Sequence, residues 1–322
     1  MGSPRRVHHQ IHHPRSPPLT PGKTHALISS VHRRGATLLL PDGTEADVRI
    51  PGRLFLGWIP ATGDRVVVDG AADKPGTIRL AGVEPRRNTL ERATGDGGTQ
   101  VIAANIDVAL VFVSLRDPAL RRGFVDRCLA AAAWHGIESL VAVNKIDLAA
   151  EGDDEVLHDI AQDCARAGAG CLGISCRDGS GTDALRRMLE GRTVVMSGPS
   201  GAGKTSLAKL LGGRDDLLTG SVSLRTGKGR HTTVGARMIP LGGGTILIDT
   251  PGLRVFPIDQ IPADRLHECF REFAPHSPFC RFRDCRHGAE PECGVRAAVE
   301  RGEVSSVRYE SYLELFAELS EA

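Results

Sequence analysis

Apolar residues recur along this chain in two different rhythms. Between residues 25 and 85 they come in short runs: Ala26–Val31, Ala36–Leu40, Ala46–Ile50, Arg65–Val68 and Thr77–Val83. Each run reads as a short β-strand, and Pro41-Asp42-Gly43 supplies a turn. Five such strands predict a small OB-type barrel, an architecture that often binds oligonucleotides and that equally serves as a plain structural subdomain. From about residue 100 the rhythm changes. Apolar runs at Ile106–Leu115, Leu140–Val143, Cys171–Ile174 and Thr193–Met196 alternate with helix-length segments. Those segments lie at Pro118–Trp134, at Asp154–Ala167, after Thr182 and at Ser206–Leu211, and Arg237–Leu241 with Thr245–Ile248 reads as a hairpin. Strands alternating with helices predict a mostly parallel sheet covered by helices. Past Pro257 the chain becomes irregular and Cys/His-bearing, and it ends in a helical stretch, Val304–Leu319. Residues 1–22, interrupted by Pro14, Pro17, Pro18 and Pro21 and rich in His and Arg, read as a disordered tail.

Composition adds little about partners. Hydrophobic residues make up 41% of the 322 and charged residues 25%, the balance of an ordinary globular protein. Only 4% are aromatic, so the core must lean on Leu, Val, Ile and Ala. A net charge of +1 says nothing about nucleic acid, and any basic surface must be local. No run of eighteen apolar residues exists, and the N-terminus lacks the apolar stretch of a signal peptide. A cytoplasmic protein without a membrane partner is therefore expected. In a reducing compartment the close group of cysteines near the C-terminus reads better as metal ligands than as bridges.

Two motifs describe a phosphate site. Gly198-Pro199-Ser200-Gly201-Ala202-Gly203-Lys204-Thr205 fits the G-x-x-x-x-G-K-[ST] pattern, follows an apolar strand and opens a helix at Ser206. The glycines let backbone N–H groups wrap a phosphate, and the helix N-terminus adds a favourable field. Lys204 is expected to reach the β- and γ-phosphates, and the Thr205 hydroxyl to ligate Mg²⁺. Asp249-Thr250-Pro251-Gly252 follows a second apolar strand. There Asp249 can hold Mg²⁺ through water and Gly252 can offer its N–H to the γ-phosphate.

A third motif selects the base. Asn144-Lys145-Ile146-Asp147 ends the strand Leu140–Val143 and matches the N-K-x-D pattern of GTPases. Asp147 can accept from guanine N1–H and the exocyclic amine. Adenine would leave that carboxylate unpaired, a discrimination of roughly 10⁴ or more. Lys145 can lie along the base, and Asn144 can tie this loop to the phosphate loop. Ser175-Cys176 resembles the segment whose backbone N–H reads the guanine oxygen, with Cys176 in place of the usual Ala. The base motif precedes the phosphate loop, the reverse of the ordinary order. A circular permutation keeps sheet and site intact if the new termini lie on the surface.

With these motifs, the segments Pro85–Arg92, Gly227–Thr233 and Asp249–Phe256 and the C-terminal Cys/His cluster, the chain resembles the RsgA (YjeQ) family of small-ribosomal-subunit-dependent GTPases. The resemblance implies a circularly permuted α/β P-loop GTPase domain. It implies an N-terminal all-β OB-fold barrel and a C-terminal zinc-binding, mainly helical domain on its flanks. Expected boundaries are 23–92 for the barrel, 93–256 for the GTPase domain and 257–322 for the zinc domain. The implied function is GTP hydrolysis in late maturation of the small subunit, stimulated by that subunit. The chain is expected to act as a monomer and to bind rRNA through the barrel and zinc domain.

Cys280-x4-Cys285-x-His287-x5-Cys293 offers three thiolates and an imidazole, a set that suits one tetrahedral structural Zn²⁺. Many GTPases place a water-orienting glutamine after D-x-x-G; this chain has Leu253, so slow intrinsic hydrolysis is expected. His231 is a candidate to position water or else a surface histidine, and Thr232 or Thr233 a candidate to complete the Mg²⁺ shell. Arg33, Arg34, Arg53, Arg86, Arg87 and Arg92 around the barrel, and Arg281, Arg283 and Arg286 around the Cys/His cluster, can meet RNA phosphates or simply face solvent. Two other functions remain open. One is a nucleic-acid-binding module with a relic nucleotide site, excluded by GTP binding. The other is a P-loop phosphotransferase, recognised by a phosphorylated product.

Overall fold

The computed structural model describes residues 23–33, 35–50, 57–69, 78–212 and 235–321. The His-rich tail, Arg34, Arg53, Thr77 and the segment carrying His231, Thr232 and Thr233 lie outside the described residues.

The barrel strands are β1 (Lys23–His32), β2 (Gly35–Leu39), β3 (Glu45–Val48), β4 (Arg65–Asp69) and β5 (Arg79–Val83). The long β1 serves two neighbours: Lys23 to Leu27 pair with β4, and Leu27 to His32 pair with β2, all antiparallel. A register shift between Ile28 and Ser30 accompanies the change of partner. Inward positions of the alternating pattern, among them Ile28, Leu38, Val66 and Val68, form one buried cluster.

A hairpin that the sequence reading did not anticipate follows the barrel. β6 (Thr89–Ala93) and β7 (Thr99–Ala104) pair antiparallel as a separate two-stranded sheet, with Thr94 and Gly98 closing the turn. The parallel sheet is built from β8 (Val108–Ser114), β9 (Glu138–Asn144), β10 (Gly170–Gly173), β11 (Thr193–Ser197) and β13 (Ile246–Asp249), with β12 (Arg237–Pro240) antiparallel at one edge. Their order is β10-β9-β8-β11-β13-β12, and β12 continues into β1 of the barrel through the pair Ser30 and Arg237. All seven residues of β8 are buried, as a central strand covered on both faces requires.

Helices α1 (Arg122–Trp134) and α2 (Asp153–Arg166) contribute to the core on one face, and α3 (Thr182–Leu189) and α4 (Lys204–Gly212) to the core on the other. The first helix starts at Arg122 instead of Pro118. The intervening turn is held by Ser114 Oγ, which donates to the Pro118 carbonyl at 2.7 Å. The phosphate-loop helix begins at Lys204, two residues before the expected Ser206.

Beyond Pro257 come short 3-10 turns and then α5 (Gly294–Glu300) and α6 (Ser306–Glu321). The aromatic residues Phe270, Phe273 and Tyr312 pack with ring centroids about 5 Å apart and share the core of α1. Within that core Arg308 of α6, 1% exposed, pairs with Glu272 and with Asp126 of α1, the latter at 2.6 Å. Its guanidinium also lies 4.9 Å from the centre of the Phe270 ring. Burial raises the pKa of Asp126, and Arg308 opposes that shift.

Arg308→Ala leaves buried carboxylates without their cation and should cost about 3–5 kcal/mol, read from urea unfolding. Asp126 then loses the charge that lowers its pKa, so its folded value rises further above the unfolded one. The deficit should therefore shrink as pH falls from 7 towards 5. A deficit independent of pH would show that Asp126 is not the group left stranded.

Candidate functional site

β8 runs between β9 and β11, and all three end at the same edge of the sheet. Ser114 pairs with Asn144, and Val111 pairs with Ser197. The loops that follow β9 and β11 are therefore neighbours in space although distant in sequence. Asn144, 2% exposed, joins them. Its Nδ2 donates to the carbonyl of Ala202 at 2.8 Å, and its Oδ1 accepts from the N–H of Cys176 at 3.0 Å. Phosphate loop, N-K-x-D loop and Ser175-Cys176 loop thus meet at one buried amide.

The phosphate loop needs glycine at two of these contacts. A Cβ on Gly198 would lie 2.0 Å from the Phe112 carbonyl oxygen. A Cβ on Gly203, whose φ is +100°, would lie 2.5 Å from Asn144 Nδ2. Lys204 opens α4 and donates to the carbonyls of Gly198 and Pro199. Burial lowers its pKa, and the charge of Arg254 lowers it further. Ser200, Lys204, Thr205, Asp249, Gly252 and Arg254 line one cavity of about 560 Å³. Arg254 falls within the segment Asp249–Phe256, but the sequence reading gives it no role.

At the base end, Asp147 accepts from Ser175 Oγ at 2.7 Å and faces Arg177 at 3.7 Å. Lys145, with φ of 66°, reaches back to the carbonyl of Asp117. The Cys176 N–H donates to Asn144 Oδ1, which holds this loop against the base loop. Burial, then the nearby Asp147, pushes its thiol pKa up to about 11, so the side chain stays a neutral thiol.

Three of the arginines expected on a basic face around the barrel, Arg86, Arg87 and Arg92, are engaged within the protein. Arg86 holds both oxygens of the fully buried Asp64, at 2.6 and 2.8 Å, and the carbonyl of Ile59. Arg87 pairs with Asp107 at 2.7 Å, and Arg92 donates to Gln100. Asn88 brackets Ile106, accepting from its N–H and donating to its carbonyl. This segment clamps the barrel to the first strand of the parallel sheet.

Cys280, Cys285, His287 and Cys293 bring their ligand atoms within 4.8 Å of one another. His287 Nδ1 sits 3.5 Å from the sulfurs of both Cys280 and Cys293. Backbone N–H groups of Gly294 and Arg296 point at the sulfurs of Cys280 and Cys293, at 3.3 and 3.4 Å. His287 has φ of 59°, and its carbonyl accepts from Tyr309 of α6 at 2.6 Å. Burial pushes Cys285 up to about 12 and His287 down to about 4. Such a pocket opposes isolated charge, and a divalent cation supplies the field that lets thiols ionise. Three sulfurs and one imidazole, already gathered and hydrogen-bonded, fit a metal with four ligands and no open position.

A P-loop and an N-K-x-D loop joined through Asn144, in permuted order, define a circularly permuted GTPase. Residues 83–259 match the family model for the RsgA GTPase, and the chain belongs to that family. It is 41% identical over 305 residues to the small ribosomal subunit biogenesis GTPase RsgA of Chlorobaculum parvum, covering 89% of this chain and 96% of that one. To the protein of the same name from Gemmatimonas aurantiaca it is 41% identical over 261 residues, 80% of this chain and 84% of the relative. The crystal structure of YjeQ from Thermotoga maritima superposes with a TM-score of 0.76 at 27% identity, covering 93% of this chain and 99% of that one. YloQ, described as a circularly permuted GTPase, has the same fold, with a TM-score of 0.73 at 23% identity over 98% of each chain.

Asn144→Ala should weaken GTP and GDP binding by roughly 10- to 100-fold, because two buried backbone groups lose their partner. Titration with a fluorescent guanine nucleotide checks this, and an unchanged affinity would show that the three loops hold their places without the amide.

Proposed function

We propose that this GTPase acts in late maturation of the small ribosomal subunit and hydrolyses GTP fastest when bound to that subunit. The observation that carries the proposal is the near full-length match to relatives named as small ribosomal subunit biogenesis GTPases. The barrel and the metal-binding domain, on either side of the nucleotide domain, are the parts proposed to grip rRNA. Their proposed extents are 23–92 and 257–322, with the GTPase domain at 93–256. In the second of these, Phe279 and Phe282 are exposed beside Arg281, Arg283 and Arg286. Aromatic faces and guanidinium groups together suit unpaired bases and phosphates. The protein is proposed to work as a monomer in the cytoplasm. No described helix is long and apolar enough to cross a membrane.

In the proposed complex, Asp147 reads the guanine edge with Lys145 along the base. The loop from Gly198 to Thr205 wraps the phosphates, with Ser206 in the first turn behind it. Thr205 and Asp249 hold Mg²⁺, which neutralises phosphate charge and orders the β- and γ-oxygens. Gly252 offers its N–H at the γ end. Leu253 packs against the core and cannot hydrogen-bond water, so intrinsic turnover is slow. His231 positions the attacking water, and Thr232 or Thr233 completes the metal shell, in the subunit-bound complex. The metal at Cys280, Cys285, His287 and Cys293 is proposed to be Zn²⁺, one per chain, with a structural role.

GTP turnover should rise at least about tenfold on adding purified small subunits, with no response to ATP. Turnover that ignores the subunits would end the proposal while leaving the GTPase assignment standing. Chelation should release one zinc per chain and, because metal binding contributes roughly 10 kcal/mol or more to such a subdomain, unfold the C-terminal domain. Elemental analysis combined with circular dichroism reads both effects.

A further inference from the structure

We propose that Arg254 is a catalytic residue of GTP hydrolysis, donating guanidinium N–H groups to oxygens of the transferring phosphoryl group. The inference rests on the placing of the γ-phosphate in the cavity lined by Lys204, Thr205 and Asp249.

The chain around Arg254 is held while its side chain is not. The turn after β13 closes with the Leu253 N–H donating to the Thr250 carbonyl at 3.0 Å. Leu253 packs on the core, and Phe256, fully buried, anchors the far side. Between them the Arg254 carbonyl accepts from Ser197 Oγ at 3.0 Å, which ties it to the last residue of the strand leading into the phosphate loop. The Arg254 side chain lines the same cavity as Lys204 and Thr205. Among the described residues none hydrogen-bonds or pairs with its guanidinium.

Two cations facing one cavity repel each other, and the positive charge of Arg254 disfavours the charged form of Lys204. Such an arrangement is unfavourable until a polyanion enters, and then both groups are satisfied at once. Their tasks differ. Lys204, at the start of α4, is placed to follow the phosphates from ground state to product. Arg254 lies just past the turn that follows Asp249, on the side where Gly252 offers its N–H. In hydrolysis a water oxygen bonds to the γ-phosphorus as the bond from that phosphorus to the β–γ bridging oxygen breaks. The electron pair goes to GDP, and the water's proton passes to the released phosphate or to solvent. Negative charge builds on the bridging and γ-oxygens during this step, and a planar two-pronged donor is suited to meet it. Because Leu253 orients no water, charge stabilisation by Arg254 supplies basal rate that this loop otherwise lacks.

The test is single-turnover GTP hydrolysis by Arg254→Ala, Arg254→Gln and Arg254→Lys in the full chain. Arg254→Ala should lower the rate about 100-fold or more while the GTP and GDP dissociation constants move less than about threefold. Arg254→Lys, which keeps a point charge without the fork, should fall between. Affinity for GDP with aluminium fluoride, which mimics the transferring phosphoryl group, should drop in Arg254→Ala, and added guanidinium ion should restore part of its rate. An unchanged rate in both Arg254→Ala and Arg254→Gln would overturn the proposal. So would a loss that appears only as weaker GTP binding. A wild-type chain that binds no GTP would be a separate failure, of the pocket itself.

Discussion

Two hydrogen bonds to one buried side chain, that of Asn144, decide whether this chain has a nucleotide pocket at all. The phosphate loop and the base loop sit on strands separated by β8, and β8 carries no ligand-binding motif of its own. Backbone pairing brings their ends to the same edge of the sheet. The amide then sets the spacing between them, since its two ends hold the Ala202 carbonyl and the Cys176 N–H. Gly203 follows from the same contact, because any side chain there would displace the amide. A buried amide with both ends paired is worth more than its net hydrogen bonds suggest, since losing it strands polar groups away from water.

The C-terminal region is fastened to this framework by contacts outside the Cys/His side chains. Arg308 joins α6 to α1 through Asp126 and to the preceding turns through Glu272, inside a cluster of aromatic rings. Tyr309 and Tyr312 reach from the same helix to carbonyls flanking the metal ligands. A metal at the Cys/His cluster would organise the ligand loop, while α6 organises how that loop sits against the helix behind β8. Movement that begins at Asp249 meets a domain already bolted to α1.

Much of this was legible in the sequence, and the failures have physical causes. The glycine spacing of 198–205 and the order N-K-x-D before P-loop identified site and permutation, because each motif uses residue types that little else requires. Cys280, Cys285, His287 and Cys293 were legible as a group for the same reason. The hairpin of β6 and β7 was missed because its apolar positions are few; Gly95-Asp96-Gly97-Gly98 was the available turn signal. Arg86 and Arg87 were read as basic surface. Nothing local in a sequence says that Asp64 and Asp107 fold back to receive them. Arg308 was invisible for the same reason, since its partners lie 36 and 182 residues away. For Cys176 the motif tells which loop approaches the base, whereas the hydrogen bond its N–H makes here depends on the reach of Asn144.

The seam between barrel and parallel sheet has two parts. Arg86, Arg87 and Asn88 clamp one side, and on the other β12 meets β1 at the ladder pair of Ser30 and Arg237, with the Thr62 hydroxyl on the Ala236 carbonyl at 2.8 Å. The Thr62 carbonyl also accepts from the Ala104 N–H at 2.9 Å. One loop residue thus stitches both parts, and a load on the barrel is shared between them.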